Sequence, residues 1–172
     1  QRLVALIGDI IRLSQLDEGD PLPWEQVDIP ALCRDIAADL RDKAEKTQVS
    51  LTVEGQDVQA EGVRRLLHET IYNLCDNAIG YNVPGGSVRV TVSDAGENAV
   101  ISVADTGIGI APEDREHIFQ RFYQVDAARG KDGSGLGLFM VQQAARLHGG
   151  SVTLDSRIGE GSTFIVRLPL AE

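Results

Sequence analysis

Apolar positions recur along the chain in two alternating rhythms, three-and-four and every second residue, and their order predicts an α/β protein. Leu3, Leu6, Ile10 and Leu13, widened by Val4, Ile7 and Ile11, form the stripe of a helix made to pack in a bundle. Glu18, Gly19, Asp20, Pro21 and Pro23 end it, because glycine suits a helix C-terminus and proline cannot continue one. Asp28 is the expected N-cap of the next helix, with Pro30 in its first turn; this helix runs to about Lys46 and buries Leu32, Ile36 and Leu40. A short strand is expected near Leu51 to Val53, then a helix from about Gly62 to Ile79.

Two β-rich runs follow, Ser87 to Ser93 and Ala99 to Ala104, joined by Asp94, Ala95, Gly96, Glu97 and Asn98, the pattern of a hairpin. A short helix from Pro112 to Ile118 precedes a stretch, Arg121 to Gly133, without apolar period. Within it, glycine and charge together predict that about Gln124 to Gly133 is mobile without a ligand. A helix from Leu136 to Leu147 stops at Gly149 and Gly150, and Ser151 to Asp155 with Thr163 to Leu168 forms a last strand pair around Gly159 and Gly161. The expected fold is a two-layer α/β sandwich, a mixed, mostly antiparallel sheet packed on helices. The expected division is residues 1–18 as the end of a bundle helix, 19–27 as linker and 28–172 as one domain.

The 172 residues are 42% apolar and 24% charged, the composition of a globular protein. The formal charge of −10 argues against nucleic acid or an anionic membrane as partner, so any bound phosphate must be held by local features. Two widely separated cysteines, Cys33 and Cys75, form neither a disulfide framework nor a metal-binding spacing, which suits a reducing, cytoplasmic setting. No apolar run reaches the roughly 20 residues that span a bilayer.

Three clusters carry candidate chemistry. On the helix from Gly62, Asn77 falls within the apolar stripe and Asn73 on its edge. A carboxamide on the core side needs a partner. It is either bonded to nearby backbone, or Asn77 gives a hard oxygen to Mg²⁺ with Asn73 near phosphate. The second cluster is Asp105-Thr106-Gly107-Ile108-Gly109-Ile110, directly after a strand: a plain turn, or a carboxylate that accepts from an exocyclic amine beside a backbone opened by glycine. The third is Gly133-Ser134-Gly135-Leu136-Gly137-Leu138, which frees amides at a helix N-terminus, where phosphate is favoured. The polar residues before it exclude a Rossmann reading, and no P-loop motif occurs.

In this order the clusters resemble sensor histidine kinases. Asn73 to Ala78 with Tyr81 resembles their N box, Asp105 to Gly109 the G1 box, Ile118 to Tyr123 the F box and Gly133 to Leu138 the G2 box. Gly161 to Phe164, closing on Leu168-Pro169, is similar to the terminal strand. The resemblance covers nearly everything from Val27 onward. It implies the ATP-binding fold shared with gyrase, Hsp90 and MutL, and ATP with Mg²⁺ as ligands. Asn77 would be the metal ligand, Asn73 would lie beside the phosphates, and Tyr81 would pack on the nucleotide. Asp105 would hold the adenine amine in a pocket shaped by Gly107, Gly109 and Ile110. Gly133, Gly135, Leu136 and Gly137 would form the hinge and phosphate end of a lid, and Thr163 the floor of the adenine site. Arg121 would neutralise phosphate, with Arg129 and Lys131 as lid cations.

The family usually has Lys or Arg before the N-box aromatic; Gly80 stands there. His68-Glu69 imitates the phospho-acceptor motif, but Thr70-Ile71-Tyr72 follows it within the N-box helix, so His68 is read as helix surface, and His117 and His148 as ordinary helix residues. The acceptor is expected upstream of Gln1, on a dimerisation domain that is one partner; a response-regulator receiver domain is the other. The parent is expected to be a homodimer, with any anchor in the cell inner membrane. Two other readings are an ATPase of the gyrase or Hsp90 type and a nucleotide sensor without catalysis. The first is disfavoured by Asn73, a poor general base where those ATPases carry Glu, and the second by the intact N, G1 and G2 residues.

Overall fold

The computed structural model describes residues 22–120, 123 and 137–170. The stripe from Leu3 to Leu16, Arg121, Arg129 and Lys131, and the glycines Gly133 and Gly135 with Leu136, lie outside the described residues.

The chain runs β1 (Trp24–Asp28), α1 (Ile29–Lys46), β2 (Ser50–Gly55), β3 (Gln59–Val63), α2 (Arg64–Gly80), β4 (Ser87–Asp94), β5 (Asn98–Asp105), α3 (Pro112–Arg115), α4 (Gly137–Leu147), β6 (Ser151–Arg157) and β7 (Gly161–Pro169). Five strands form one sheet in the order β2-β4-β5-β7-β6, parallel between β2 and β4 and antiparallel elsewhere. This is the expected two-layer sandwich.

Alternation along the three central strands makes the core. Val88, Val90 and Val92 of β4, Ala99, Ile101 and Val103 of β5, and Phe164, Val166 and Leu168 of β7 are all buried. They meet Leu32, Ile36 and Leu40 of α1 and Leu67, Ile71 and Leu74 of α2 in one cluster. Burying each such side chain stabilises the fold by about 1.5–3 kcal/mol. The residues between them on the central strands, such as Arg89, Ser102, Thr163 and Arg167, are not buried and belong to the other face of the sheet.

Helix α1 begins as expected: Asp28 Oδ1 accepts from the Ala31 amide at 3.1 Å and a proline occupies the first turn. Its end was not foreseen. The amides of Gln48 and Val49 donate to the carbonyls of Glu45 and Ala44, with Gln48 at φ +59, a left-handed cap usually made by glycine. Cys33 and Cys75 are buried free thiols, each pushed up to about 12, chiefly by burial, which keeps them unreactive.

The main correction concerns the segments flanking α1. Residues Trp24–Asp28, expected as linker up to Val27, form a strand paired antiparallel with Gln59–Val63, so the helix expected from Gly62 starts at Arg64. Trp24–Asp28 has no alternating apolar signature, and in Gln59–Val63 the alternating positions are only the small residues Ala60 and Gly62; their pairing with each other and a buried histidine specify them. That histidine is His148, expected as an ordinary helix residue; it follows the last residue of α4 and is 9% exposed. Its Nε2 accepts from the Val63 amide at 3.0 Å, its Nδ1 lies 2.7 Å from the Ala144 carbonyl, and the Trp24 ring sits 5.0 Å away. A Cβ on Gly62 would come within 2.9 Å of the imidazole, so only glycine admits it.

An imidazole that accepts from an amide must be unprotonated at that nitrogen, and burial pushes the His148 pKa below its ordinary 6.5. A depressed histidine gives its full stabilisation above about pH 6.5 and loses it as pH falls through the folded value. Urea unfolding at a series of pH values should therefore show stability falling more steeply on acidification in the wild type than in His148→Gln, which keeps an acceptor but cannot titrate; parallel curves would contradict this.

Candidate functional site

The site is built where β5 ends. Asp105 is the last residue of that central strand, partly buried, and its Oδ1 accepts from the amides of Gly107 at 2.9 Å and Ser162 at 3.2 Å. Burial pushes its carboxyl above the usual value and these two amides draw it back. Among the described residues Oδ2 takes no hydrogen bond, which leaves it available to a ligand donor.

The turn after Asp105 is seated against the end of α2. The Ile108 amide donates to the Tyr81 carbonyl at 3.1 Å, and the Ile108 carbonyl accepts from Gly159 at 2.8 Å. Two glycines allow this. A Cβ on Gly107 would lie 2.5 Å from the Tyr81 carbonyl oxygen, and one on Gly109, at φ +73, 2.1 Å from that of Arg157. Ile110 packs against the core and its amide donates to Ser156 Oγ at 2.8 Å.

Helix α2 carries the asparagines, and both are half-buried, between its apolar side and solvent. Gly137, the first residue of α4, faces Asn73: a Cβ there would lie 3.9 Å from the carboxamide carbon. Tyr81 caps α2, its amide donating to the Asn77 carbonyl at 2.9 Å. The exposed Gly80 adds no charge, and Lys43 of α1 pairs with Asp76 beside Asn77. Beyond α3, Phe119 packs edge-on against Phe164 of β7 at 6.1 Å, and Tyr123 donates to Asp114, so the described end of the segment leading to Arg121 is anchored on the sheet. His68 is half-buried and stacks on Tyr72 in α2.

Asn73, Tyr81, Asp105, Gly107, Gly109, Ile110 and Gly137 are thus linked through α2, the turn after β5 and the start of α4, with Asn77 one turn before Tyr81. Thr163 is not. It pairs with Ala104, one position out of step with Asp105, so its side chain is on the opposite sheet face. The residue across from Asp105 is Ser162, 6% exposed. Alternation along β7, counted back from buried Leu168, Val166 and Phe164, puts Ser162 on the face that Asp105 shares. Ser156, also missed, lies beyond Ser162 in the same cross-strand row.

The match to known proteins follows the same elements. Residues 62–172 match the family described as histidine kinase-, DNA gyrase B-, and HSP90-like ATPase, and the chain belongs to it. Sensor kinases are among the relatives it resembles. Sensor histidine kinase RppB of Synechocystis sp. is 38% identical over 99% of this chain and 38% of its own length. The chain therefore spans less than half of that curated relative. Among solved structures, full-length ShkA in complex with AMPPNP has a TM-score of 0.85 at 29% identity, covering 98% of this chain and 36% of that one. The mycobacterial sensor histidine kinase MprB has a TM-score of 0.76 at 28% identity, covering 86% of this chain and 97% of that one. The chain carries the ATPase-type catalytic domain of this kinase family.

Gly107→Ala should destabilise the fold by about 1–3 kcal/mol, since its methyl group meets rigid backbone. Gly137→Ala, with only ordinary contacts to meet, should not. Equal thermal melting of the two variants would show that the turn is not packed on α2 as described.

Proposed function

We propose that this domain binds Mg·ATP and transfers its γ-phosphoryl group to a histidine on a dimerisation domain outside this chain, for onward transfer to a response-regulator aspartate. The observation that carries the reading is the pairing of a ligand-ready carboxylate, Asp105, with an α2 face whose two polar groups are neutral amides, Asn73 and Asn77. Asp105 Oδ2 suits a base amine, and the glycines at 107 and 109 bring backbone close beneath it. Asn77 would hold Mg²⁺ through its amide oxygen, as a hard cation requires. When bound, the ion neutralises charge on the phosphoryl group being transferred.

No general base is needed to activate water, and Asn73 would be a poor one. The acceptor imidazole nitrogen forms the new bond to phosphorus as the bond to the β-phosphate oxygen breaks, and ADP leaves; the domain contributes position and electrostatics. Arg121 is the proposed phosphate cation, with Lys131 as a lid contact.

Residues 1–18 are read as the end of the second dimerisation helix of a homodimeric parent. In support, the match to MprB covers 86% of this chain and that to full-length ShkA 98%. AMPPNP, an ATP analogue, is in the ShkA structure, which favours the nucleotide reading here. The cytoplasmic side of a membrane is the proposed location; no helix of the described residues is long and apolar enough to cross one.

Incubation with labelled ATP and a separately supplied histidine-bearing helical hairpin tests the proposal. Phosphate on histidine is expected. Rapid release of free phosphate would favour the ATPase reading, and binding without either would favour a sensor. In the same assay Asn77→Ala should keep its fold by circular dichroism and lose about a hundredfold or more of the transfer rate, the scale of a metal contribution of several kcal/mol; undiminished transfer would remove Asn77 from this role.

A further inference from the structure

His148 stands where several elements meet. Its Nε2 accepts from the Val63 amide at 3.0 Å, its Nδ1 lies 2.7 Å from the Ala144 carbonyl, and the Trp24 ring sits 5.0 Å away. Both polar partners are backbone, so neither can reverse its role: an amide only donates and a carbonyl only accepts. The ring is therefore the neutral Nδ1–H tautomer. An imidazolium keeps the bond to Ala144 but sets its second N–H against the Val63 N–H, and a mismatched buried donor costs more than a bond that is merely absent.

Val63 is the last residue of β3 and the N-cap position of α2, where no side chain caps the helix. It pairs with Trp24 at one end of the two-stranded β1–β3 sheet. The other end of that sheet is fixed in the core by Val27, Val58 and Ala60. At the Trp24 end, Trp24, Glu25 and Gln26 are exposed, and Leu22 packs on Val63, Leu66 and Ala144. A two-stranded pair has little stability of its own, so this end depends on what it leans against. The charged side chains nearest in the chain on the surrounding elements are Glu25 of β1, Glu61 of β3, Arg64 and Arg65 of α2 and Arg146 of α4, all exposed. Glu25 pairs with Arg64 at 3.2 Å, and among the described residues none of these side chains pairs with the imidazole.

We infer that His148 and Trp24 form a proton-operated latch on the chain's entry into the domain: neutral His148 holds the first half of β1 against the end of α4, and protonation releases it. Release frees the stretch from Leu22 to Gln26, about 17 Å of chain when extended, and so lengthens the tether between residues 1–21 and the domain. A longer tether changes how often the two parts meet. Burial lowers the folded pKa of His148 from its ordinary 6.5, so the latch is held above that pH. Between 6.5 and the folded value, the open population should rise by up to about tenfold per pH unit. The latch stands on this geometry and does not rest on the nucleotide reading.

Trp24 is the sole tryptophan of the chain, so its emission reads the latch directly. On acidification of the whole chain, that emission should move to longer wavelength and the Val63 amide should lose its exchange protection, with a common midpoint below 6.5. Far-UV circular dichroism and the protection of the β5 amides should hold through that midpoint. Nitrogen NMR of the ring should find the Nδ1–H tautomer at neutral pH. In His148→Gln the acid step in emission should vanish, whether glutamine keeps the strand seated or leaves it open. Gly62→Ala, whose methyl group displaces the imidazole, should show the long-wavelength emission already at neutral pH. If either variant does not fold, the wild-type profile decides. Emission and β5 protection lost together, an Nε2–H tautomer, an acid step retained in His148→Gln, or wild-type emission in Gly62→Ala would overturn the inference.

Discussion

A carboxylate held at the end of the central strand is expensive, and the way Asp105 is compensated shapes everything around it. Its Oδ1 needs two amide donors, which come from opposite directions: Gly107 in its own turn and Ser162 on β7. The first requires the chain to fold back within two residues. The second requires β7 to arrive in one register, with Gly161 so close that a Cβ would lie 2.0 Å from the Asp105 carbonyl oxygen. The buried valines of β4 and β5 and the aliphatics of β7 hold that register, because a slip of one residue would expose them all.

The same turn fixes the helical half of the site. Ile108 is bonded both to Tyr81 at the end of α2 and to Gly159 between β6 and β7, so the turn after Asp105 ties sheet to helix. Asn77, one turn before Tyr81, therefore has a defined position relative to the carboxylate, and Asn73, one turn further back, meets the first residue of α4. The far end of α4 is followed by His148, which bonds to β3. Helix α4 therefore starts beside Asn73 and is tied at its far end to the β1–β3 sheet through an uncharged imidazole.

Much of this was legible because local pattern and global fold agree. The β4–β5 and β6–β7 hairpins show as alternation broken by glycine, and α1 shows its cap and stripe. What could not be read depends on distant partners. Trp24–Asp28 and Gln59–Val63 become strands only by pairing with each other, and His148 is buried only because Gly62 leaves room for it. In the site, the N-box and G1 residues were recognisable as ordered motifs. The motif points to Thr163, whereas alternation along β7 from Phe164, Val166 and Leu168 puts Ser162 on the face that Asp105 shares, and nothing in the spacing alone reveals that Ser156 completes the row.

The central claim is that the Asp105 carboxylate and the Asn77 amide serve one purine nucleotide from its two ends. A crystal structure with Mg²⁺ and a non-hydrolysable ATP analogue addresses this most directly. The account predicts Asp105 Oδ2 within hydrogen-bond distance of the base amine and the Asn77 oxygen on a metal bound to the phosphates. An analogue seated elsewhere, or touching only one of these two side chains, would contradict it.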